Sequence, residues 1–208
     1  MGAPKQPLTP LAMAILELLH ERPMHPYEMT QIMRYRRVDY RVKLRPGSLY
    51  HTVERLDGQA LIEVVDTQRQ GRRPERTVYG MTELGRDVFA AQAQAMIATP
   101  ADEYPEFPVA LSALSELTKD EGIAQLKMRV MNLKVKIAAD EVIIKQVTGD
   151  ELPPLYWIDY AYSNHQRKSE LDFTQRLIAD LESGRMPWPD EPEPRLSIVK
   201  DENNDKTG

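Results

Sequence analysis

Arginines and small polar side chains cluster between residues 43 and 76, and their types and spacing suit nucleic-acid binding. Over residues 46–60, apolar residues recur at helical spacing and leave the opposite helix face polar. Hydroxyl, imidazole and phenol groups can hydrogen bond to base edges, and cationic groups attract phosphates. The side chains that we expect to contact DNA from this region are Ser48, Tyr50, His51, Thr52, Arg55, Lys43 and Arg45.

A second basic cluster lies in the segment QRQGRRPER, where four arginines oppose one glutamate. Short runs rich in β-branched residues flank it at 63–67 and 77–82, so the segment should be the turn of a β-hairpin. We expect Arg72, Arg73 and Arg76 to reach the DNA backbone or the minor groove. Both basic clusters could instead be ordinary solvated charge, and the polar helix face an ordinary surface.

The elements before this hairpin are predicted to be three helices. Thr9-Pro10 is a favourable helix start, because the hydroxyl can cap the helix and proline fits its first position. Pro23 should end the first helix, and His25-Pro26 should begin the second. Thr82 should cap a further helix after the hairpin. Residues 1–99 therefore predict a winged helix-turn-helix domain, in which residues 46–60 form the recognition helix.

Three stretches of this region, LAMAILELLHERPMHPYEM, GSLYHTVERLDGQALIE and GRRPERTVYGMTELGR, resemble the PadR family of bacterial transcriptional regulators. The resemblance covers about residues 8–90, and residues 107–183 resemble in pattern the long helical C-terminal domain of one subgroup. It implies a repressor that responds to phenolic or other planar aromatic compounds. Pro26 and Ala60 replace family glycines, and from Ala60 we expect a different ending of the recognition helix.

The C-terminal half is predicted to be a helical hairpin. Residues 100–117 should be a proline-rich linker with a short helix over 109–117, and Thr118 with Glu121 forms a capping box for a long helix. A second long helix should end at Gly184 and complete a domain over 118–184. Residues 185–208 are rich in proline and acidic residues and are expected to be disordered.

The first long helix repeats apolar residues at alternating steps of three and four, as a coiled-coil seam does. This seam could be the internal core of one hairpin. We favour a homodimer, because helix-turn-helix proteins usually read paired half-sites as two-fold dimers. The residues expected at the dimer interface are Ile123, Leu126, Val130, Leu133, Ile137, Ile144 and Val147.

An aromatic cluster near the start of the second long helix is a candidate effector site. Tyr156, Trp157 and Tyr160 offer flat rings for stacking and polar edges that could orient a ligand. Aromatic residues at helical spacing are also common in ordinary cores, and both interpretations stay open.

Composition and charge narrow the functional class. The net charge of −5 divides into +3 for residues 1–90, with 14 basic and 11 acidic residues, and −8 for the remainder. Local potential governs phosphate attraction, so the basic half is the DNA-binding candidate. There is no cysteine, no apolar run long enough for a membrane span and no signal-like N-terminus, and we expect a cytoplasmic protein.

The sequence does not favour an enzyme. The four histidines are scattered without a metal-binding pattern, and no nucleotide-binding loop or nucleophile elbow occurs, so we expect neither a metal nor a cofactor. The overall prediction is a mostly α-helical protein with a small β-hairpin wing, which binds double-stranded DNA as a homodimer. The alternative is a winged-helix adaptor that binds other proteins and not DNA.

Overall fold

The computed structural model describes residues 7–68, 76–149 and 151–189. The chain divides into two compact units, Met1–Glu103 and Tyr104–Gly208. The described residues are mostly helical, with a two-stranded antiparallel hairpin, which confirms the predicted fold class. None of the helices in these ranges combines the length and apolarity that a membrane span requires.

The N-terminal unit contains three helices, a hairpin and a fourth helix. In chain order these are α1 (Pro10–Glu21), α2 (Pro26–Tyr35), a 3-10 turn (Val38–Tyr40), α3 (Pro46–Gly58), β1 (Ile62–Gln68), β2 (Arg76–Met81) and α4 (Glu83–Ala98).

Side-chain caps fix where the first two helices begin. The Thr9 hydroxyl oxygen accepts a hydrogen bond from the Ala12 N–H (3.3 Å). The Nδ1 of His25 accepts one from the Tyr27 N–H (3.0 Å). A proline follows each cap at the first helical position, where no intrahelical donor is needed. The predicted starts of both helices are confirmed.

The N-terminal helices pack around one apolar core. Ile15 of α1 and both Leu49 and Leu56 of α3 are fully buried. Phe89 of α4 stacks on His20 of α1, with ring centroids 6.2 Å apart. Because α3 buries this face against the core, its opposite face is turned to solvent.

The hairpin is joined to the helical core at its base. β1 and β2 pair antiparallel, with Ile62 opposite Met81, and a register shift at Val65 marks a bulge. The backbones of Met24 and Tyr79 exchange hydrogen bonds of 3.0 and 3.2 Å. The loop between α1 and α2 therefore extends the hairpin and fixes the base of the wing.

The recognition helix α3 ends in a left-handed turn at Ala60, where φ is 57°. The Ala60 N–H donates to the Asp57 carbonyl (2.8 Å) and the Leu61 N–H donates to the Leu56 carbonyl (3.0 Å), which is the Schellman pattern. The Thr82 hydroxyl donates to the Ala60 carbonyl (2.8 Å) and braces the turn. The prediction that Ala60 gives α3 a different ending is therefore wrong. Alanine adopts here the left-handed conformation that glycine adopts without steric cost.

We expect Ala60→Gly to stabilise the N-terminal unit by about 1 kcal/mol. A left-handed backbone costs an L-residue roughly 1–2 kcal/mol, and the greater freedom of glycine in the unfolded chain offsets part of the gain. Thermal unfolding followed by circular dichroism should show the higher midpoint. Gln59→Gly is the matched control, because Gln59 has an ordinary φ of −92° and should gain nothing. An unchanged midpoint for Ala60→Gly would show that the left-handed conformation of Ala60 does not destabilise the unit.

The C-terminal unit is built on a long helical hairpin. It contains α5 (Glu106–Ser112), a 3-10 turn (Leu114–Glu116), α6 (Lys119–Gly149), a second 3-10 turn (Pro154–Tyr156) and α7 (Ile158–Ser183). The helix predicted over 109–117 thus begins earlier and gives way to the 3-10 turn.

The start of α6 carries the predicted capping box. The Thr118 N–H donates to the Glu121 carboxylate (3.1 Å), and the Glu121 N–H donates to the Thr118 hydroxyl oxygen (3.3 Å). The Thr118 hydroxyl also bonds to this carboxylate and holds the pKa of Glu121 below its usual value. The reciprocal pair fixes the first turn of the helix.

Apolar and ionic contacts hold α6 against α7. Arg129 donates from Nε to Glu170 (2.6 Å) and lies 3.5 Å above the centre of the Phe107 ring of α5. Arg167 pairs with Asp140. The buried apolar residues at this contact include Leu126, Leu177, Ile178 and Leu181.

The chain folds back after α7. Gly184 has a φ of 76° and ends the helix. Trp188 then packs on Gly122 so closely that a Cβ at Gly122 would lie 2.5 Å from the indole ring. The predicted disorder is therefore wrong for residues 185–189, and the rest of that predicted tail lies outside the described residues.

Candidate nucleic-acid interface

The solvent face of α3 presents a phenol and an imidazole side by side. Tyr50 is 45% exposed, and the His51 side chain is 85% exposed. The His51 Nδ1 lies 3.4 Å from the Glu54 carboxylate, one turn further along the helix. Both rings project from a helix whose other face is buried, so they are accessible to a binding partner.

Thr52 lies on the inner side of α3, and its predicted outward orientation is wrong. It is 8% exposed, and its hydroxyl donates to the carbonyl of Ser48 (2.7 Å). At 3.6 residues per turn, Thr52 stands between Leu49 and Leu56 on the buried stripe. Ser48 itself is half-buried.

Arg55 links the recognition helix to the start of α1. Its Nη2 donates to the Thr9 hydroxyl oxygen (3.2 Å), the same oxygen that caps α1. The residue stays exposed. This contact orients the guanidinium near the N-terminus of α1 and leaves its other donors directed at solvent.

Residues 34–45, just before α3, are rich in basic residues, and two of their arginines pair with carboxylates of α1. Arg36 pairs with Glu21, and Arg41 pairs with Glu17 at 2.9 Å. The hydrogen bond from Arg36 holds the pKa of Glu21 below its usual value. The two pairs therefore neutralise part of the positive charge of residues 34–45.

Lys43 and Arg45 remain exposed just before α3 and form no ion pair within the described residues. Arg45 occupies the N-cap position of α3 without a side-chain capping bond. Of the wing arginines, Arg72 and Arg73 lie outside the described residues. Arg76 is the first residue of β2, and only its backbone belongs to the described part of the chain.

The seam predicted for dimerisation is the inner face of the α6–α7 hairpin. Leu126, Leu133 and Ile137 are at most 7% exposed, and Ile123 and Val130 are half-buried against the same core. Ile144 and Val147 are also half-buried. The assignment of the buried members to a dimer interface is therefore wrong, because contacts inside one chain already cover them.

A second apolar stripe on α6 faces solvent and was missed. Its members, with exposures of 51, 60, 70 and 68%, are Met128, Met131, Val135 and Val142. Their steps of three, four and seven residues follow heptad spacing, which was the signal available in the sequence. The seam richer in leucine and isoleucine dominated the pattern and concealed this stripe.

The three predicted effector residues lie at the tip of the hairpin. Tyr156 is 78% exposed, whereas Trp157 and Tyr160 are half-buried. The Trp157 indole N–H donates to the Leu152 carbonyl (3.3 Å), which fixes the ring over the turn. Trp157 and Tyr160 are thus partly packed against the hairpin, whereas the side chain of Tyr156 is directed to solvent.

The N-terminal unit, with α3 exposed beside a hairpin, defines a winged helix-turn-helix DNA-binding fold. Residues 15–91 match the model of the transcriptional regulator PadR-like family. The match confirms the resemblance of the N-terminal unit to that family, whose members are transcriptional regulators and not enzymes. No match is found among curated protein sequences.

Several solved structures are similar in fold. Bacillus subtilis PadR in complex with operator DNA has a TM-score of 0.72 at 17% identity, covering 85% of this chain and 99% of that one. The same protein in complex with p-coumaric acid has a TM-score of 0.69 at 15% identity, with coverages of 83% and 98%. The Vibrio cholerae virulence activator AphA has a TM-score of 0.62 at 18% identity, with coverages of 84% and 99%.

Proposed function

We propose that this transcriptional regulator is a repressor that binds a pseudo-palindromic operator as a homodimer. The observation that carries the proposal is the exposed face of α3, which presents Tyr50 and His51, together with the exposed Lys43 and Arg45 just before the helix. The similar fold of Bacillus subtilis PadR in complex with operator DNA supports it. Repression, as opposed to activation, is carried by the family resemblance.

Each side chain has a proposed role on the duplex. Tyr50 and His51 contact base edges in the major groove, and Ser48 contacts a nearby phosphate. Lys43 and Arg45 bind phosphates on the strand that flanks α3. Arg55 reads a base or a phosphate while keeping its bond to Thr9, and the wing arginines at 72, 73 and 76 grip the flanking backbone or minor groove. Thr52 is left out, because its hydroxyl is used inside the helix.

Selection of binding sites from random DNA, followed by footprinting, tests this proposal. A two-fold dimer should enrich two inverted half-sites whose centres lie about one DNA turn apart, roughly 34–36 Å. A reporter placed behind the selected operator should be repressed when the protein is present. Failure to enrich any sequence would favour the adaptor function, and activation of the reporter would reverse the assigned direction of regulation.

The dimer contact is proposed to use the exposed stripe of α6. Antiparallel pairing about a two-fold axis at Val135 sets Met131 opposite Ala139 and Met128 opposite Val142. The apolar side chains of the two stripes then meet each other, and the small Ala139 leaves room for Met131. The exposure of four large apolar residues along one helix face is otherwise unexplained within the described part of the chain.

Val135→Glu should convert the dimer to a monomer. Val135 is 70% exposed, so glutamate costs the isolated chain little, whereas the dimer would bury two carboxylates near its axis. The mass measured by light scattering should fall from about twice the chain mass of 23.9 kDa to the mass of one chain. Lys134→Glu, a larger change in charge one position off the stripe, should leave the dimer intact. A wild-type monomer at micromolar concentration would contradict the homodimer itself.

A small planar aromatic compound is the proposed effector. The aromatic cluster of Tyr156, Trp157 and Tyr160 supports this, as does the complex of the similar Bacillus subtilis protein with p-coumaric acid. Such a ligand releases operator only by binding the low-affinity conformation more tightly. A near-complete switch requires a preference of about 5.5 kcal/mol.

Titration with phenolic acids should quench the tryptophan fluorescence and weaken the operator complex together. Trp157→Phe should remove the quenching. Trp188→Phe is the control, because Trp188 lies on Gly122 at the base of the hairpin and should leave the response intact. If a broad panel of aromatic compounds changes neither signal in the wild-type protein, the cluster is not an effector site.

A further inference from the structure

One acidic side chain stands in the middle of the exposed face of α3. At about 100° per residue, one line along α3 lies directly opposite the stripe that the helix buries in the core. The residues on this central line are Gly47, His51, Glu54 and Gly58. The two glycines carry no side chain, and a Cβ at either one would meet nothing within 4 Å. His51 and Glu54 are therefore the side chains that project from the centre of this face.

The carboxylate of Glu54 is accessible to a binding partner. Its side chain is 73% exposed, and its ion-pair partner within the described residues is His51, whose Nδ1 lies 3.4 Å from the Glu54 Oε2. An ion pair as exposed as this one contributes little to the stability of a fold. The imidazole does restrain where the carboxylate points. The pair is thus arranged toward solvent and is not needed to hold α3 in place.

The cationic side chains near α3 lie away from this central line. Lys43 and Arg45 are exposed and precede the helix. Arg55 lies about a quarter of a turn around the helix from Glu54, and it donates to the Thr9 hydroxyl oxygen at the start of α1 (3.2 Å). When a helix enters the major groove, its centre meets base edges, whereas phosphates line the rims of the groove. A carboxylate on the central line is therefore kept away from the phosphates that would repel it.

The chemistry of a carboxylate favours one base. An ionised carboxylate accepts hydrogen bonds and donates none. In the major groove, guanine presents the acceptors N7 and O6, and thymine presents the acceptor O4. Adenine presents an amino donor beside the acceptor N7, whereas cytosine presents its N4 amino donor alone. Cytosine is therefore the base whose edge fits Glu54 without placing an acceptor against the carboxylate.

We propose that Glu54 determines operator specificity by accepting a hydrogen bond from the N4 amino group of a cytosine in each half-site. This assignment rests on the proposed binding of an operator by α3, and it adds an acidic reader to the polar and basic contacts. His51 positions the carboxylate in addition to its own proposed contact with a base edge.

Replacement of each base pair of the selected operator in turn tests the role of Glu54. Wild-type protein should show one C·G position per half-site at which any other pair weakens binding by about 10-fold, as the loss of a base contact does. Glu54→Ala should bind all four pairs at that position with equal affinity. Glu54→Gln should prefer adenine there, because a glutamine amide pairs with both N6 and N7 of adenine. Fluorescence anisotropy of labelled duplexes measures these affinities.

Asp57→Asn is the matched control, because it removes the same charge from an exposed residue of α3 that lies off the central line. It should leave the preference for cytosine unchanged. If Glu54→Ala keeps the wild-type preference at every position, or strengthens binding to all sequences alike, Glu54 reads no base and the proposal is overturned. The same loss of preference in Asp57→Asn would overturn it too, since charge alone would explain the effect. If the wild-type protein enriches no operator at all, the proposed DNA-binding function itself fails.

Discussion

Raising the salt concentration from about 50 to 200 mM should weaken operator binding by about 1,000-fold or more. In the proposed interface Lys43, Arg45 and the wing arginines of each chain contact phosphates, and every phosphate contact releases condensed counterions. A dimer doubles the number of these contacts and steepens the dependence. Fluorescence anisotropy of a labelled operator at several salt concentrations measures the slope.

Substitutions distinguish the contribution of phosphate contacts to this affinity from the contribution of base contacts. Arg72→Ala combined with Arg73→Ala should weaken binding to all sequences alike and lower the salt slope, because backbone contacts carry no sequence information. Arg55→Ala should also reduce the preference for operator over unrelated DNA if the residue reads a base. Glu28→Gln, at a residue whose carboxylate pairs with Arg22, is the control. Weak binding to every promoter, unaffected by any of these changes, would favour the adaptor function.

Gly85→Ala should destabilise the N-terminal unit by about 3 kcal/mol, among the larger effects of added atoms in a packed site. A Cβ at Gly85 would lie 2.0 Å from the carbonyl oxygen of Leu61 and 3.0 Å from its carbonyl carbon. That backbone cannot move freely, because the Leu61 carbonyl accepts a hydrogen bond from the Thr82 N–H (3.1 Å). The Thr82 hydroxyl also caps α4 through the Gly85 N–H (2.9 Å).

Chemical denaturation followed by circular dichroism should show this loss as a lower midpoint for the N-terminal unit. Gly58→Ala is the matched control, because a Cβ at this helical position would meet nothing within 4 Å. It should be neutral or slightly stabilising, since alanine favours a helix over glycine. Equal midpoints for Gly85→Ala and wild type would contradict this prediction, because they would show that the backbone at Leu61 moves easily to accommodate the added methyl group. DNA binding should fall in parallel with the folded fraction.

The sequence by itself determined the local structure of the N-terminal unit. Caps such as Thr9 and His25, each followed by proline, act on their own backbone neighbours and need no tertiary information. The hairpin likewise followed from two β-rich runs around a polar turn. These short-range signals, in one fixed order, also carried the resemblance to the PadR family.

Only the tertiary structure decided which helix faces are buried. Periodicity shows that α6 has apolar stripes, but it does not show which stripe packs against α7. The stripe around Leu133 was therefore predicted to face a second chain, although it is buried inside the hairpin, whereas the stripe around Val135 faces solvent. Thr52 was placed outside because it is polar, although its hydroxyl can satisfy itself on the Ser48 carbonyl and enter the core edge.

Ala60 shows the same limit at the backbone. Its residue type disfavours a left-handed turn by only about 1–2 kcal/mol. The packing of Leu61 and the bond from Thr82 to the Ala60 carbonyl outweigh that preference. Local propensities are worth at most a few kcal/mol, and burial of the segments on either side adds up to more, so the assembled core decides such positions.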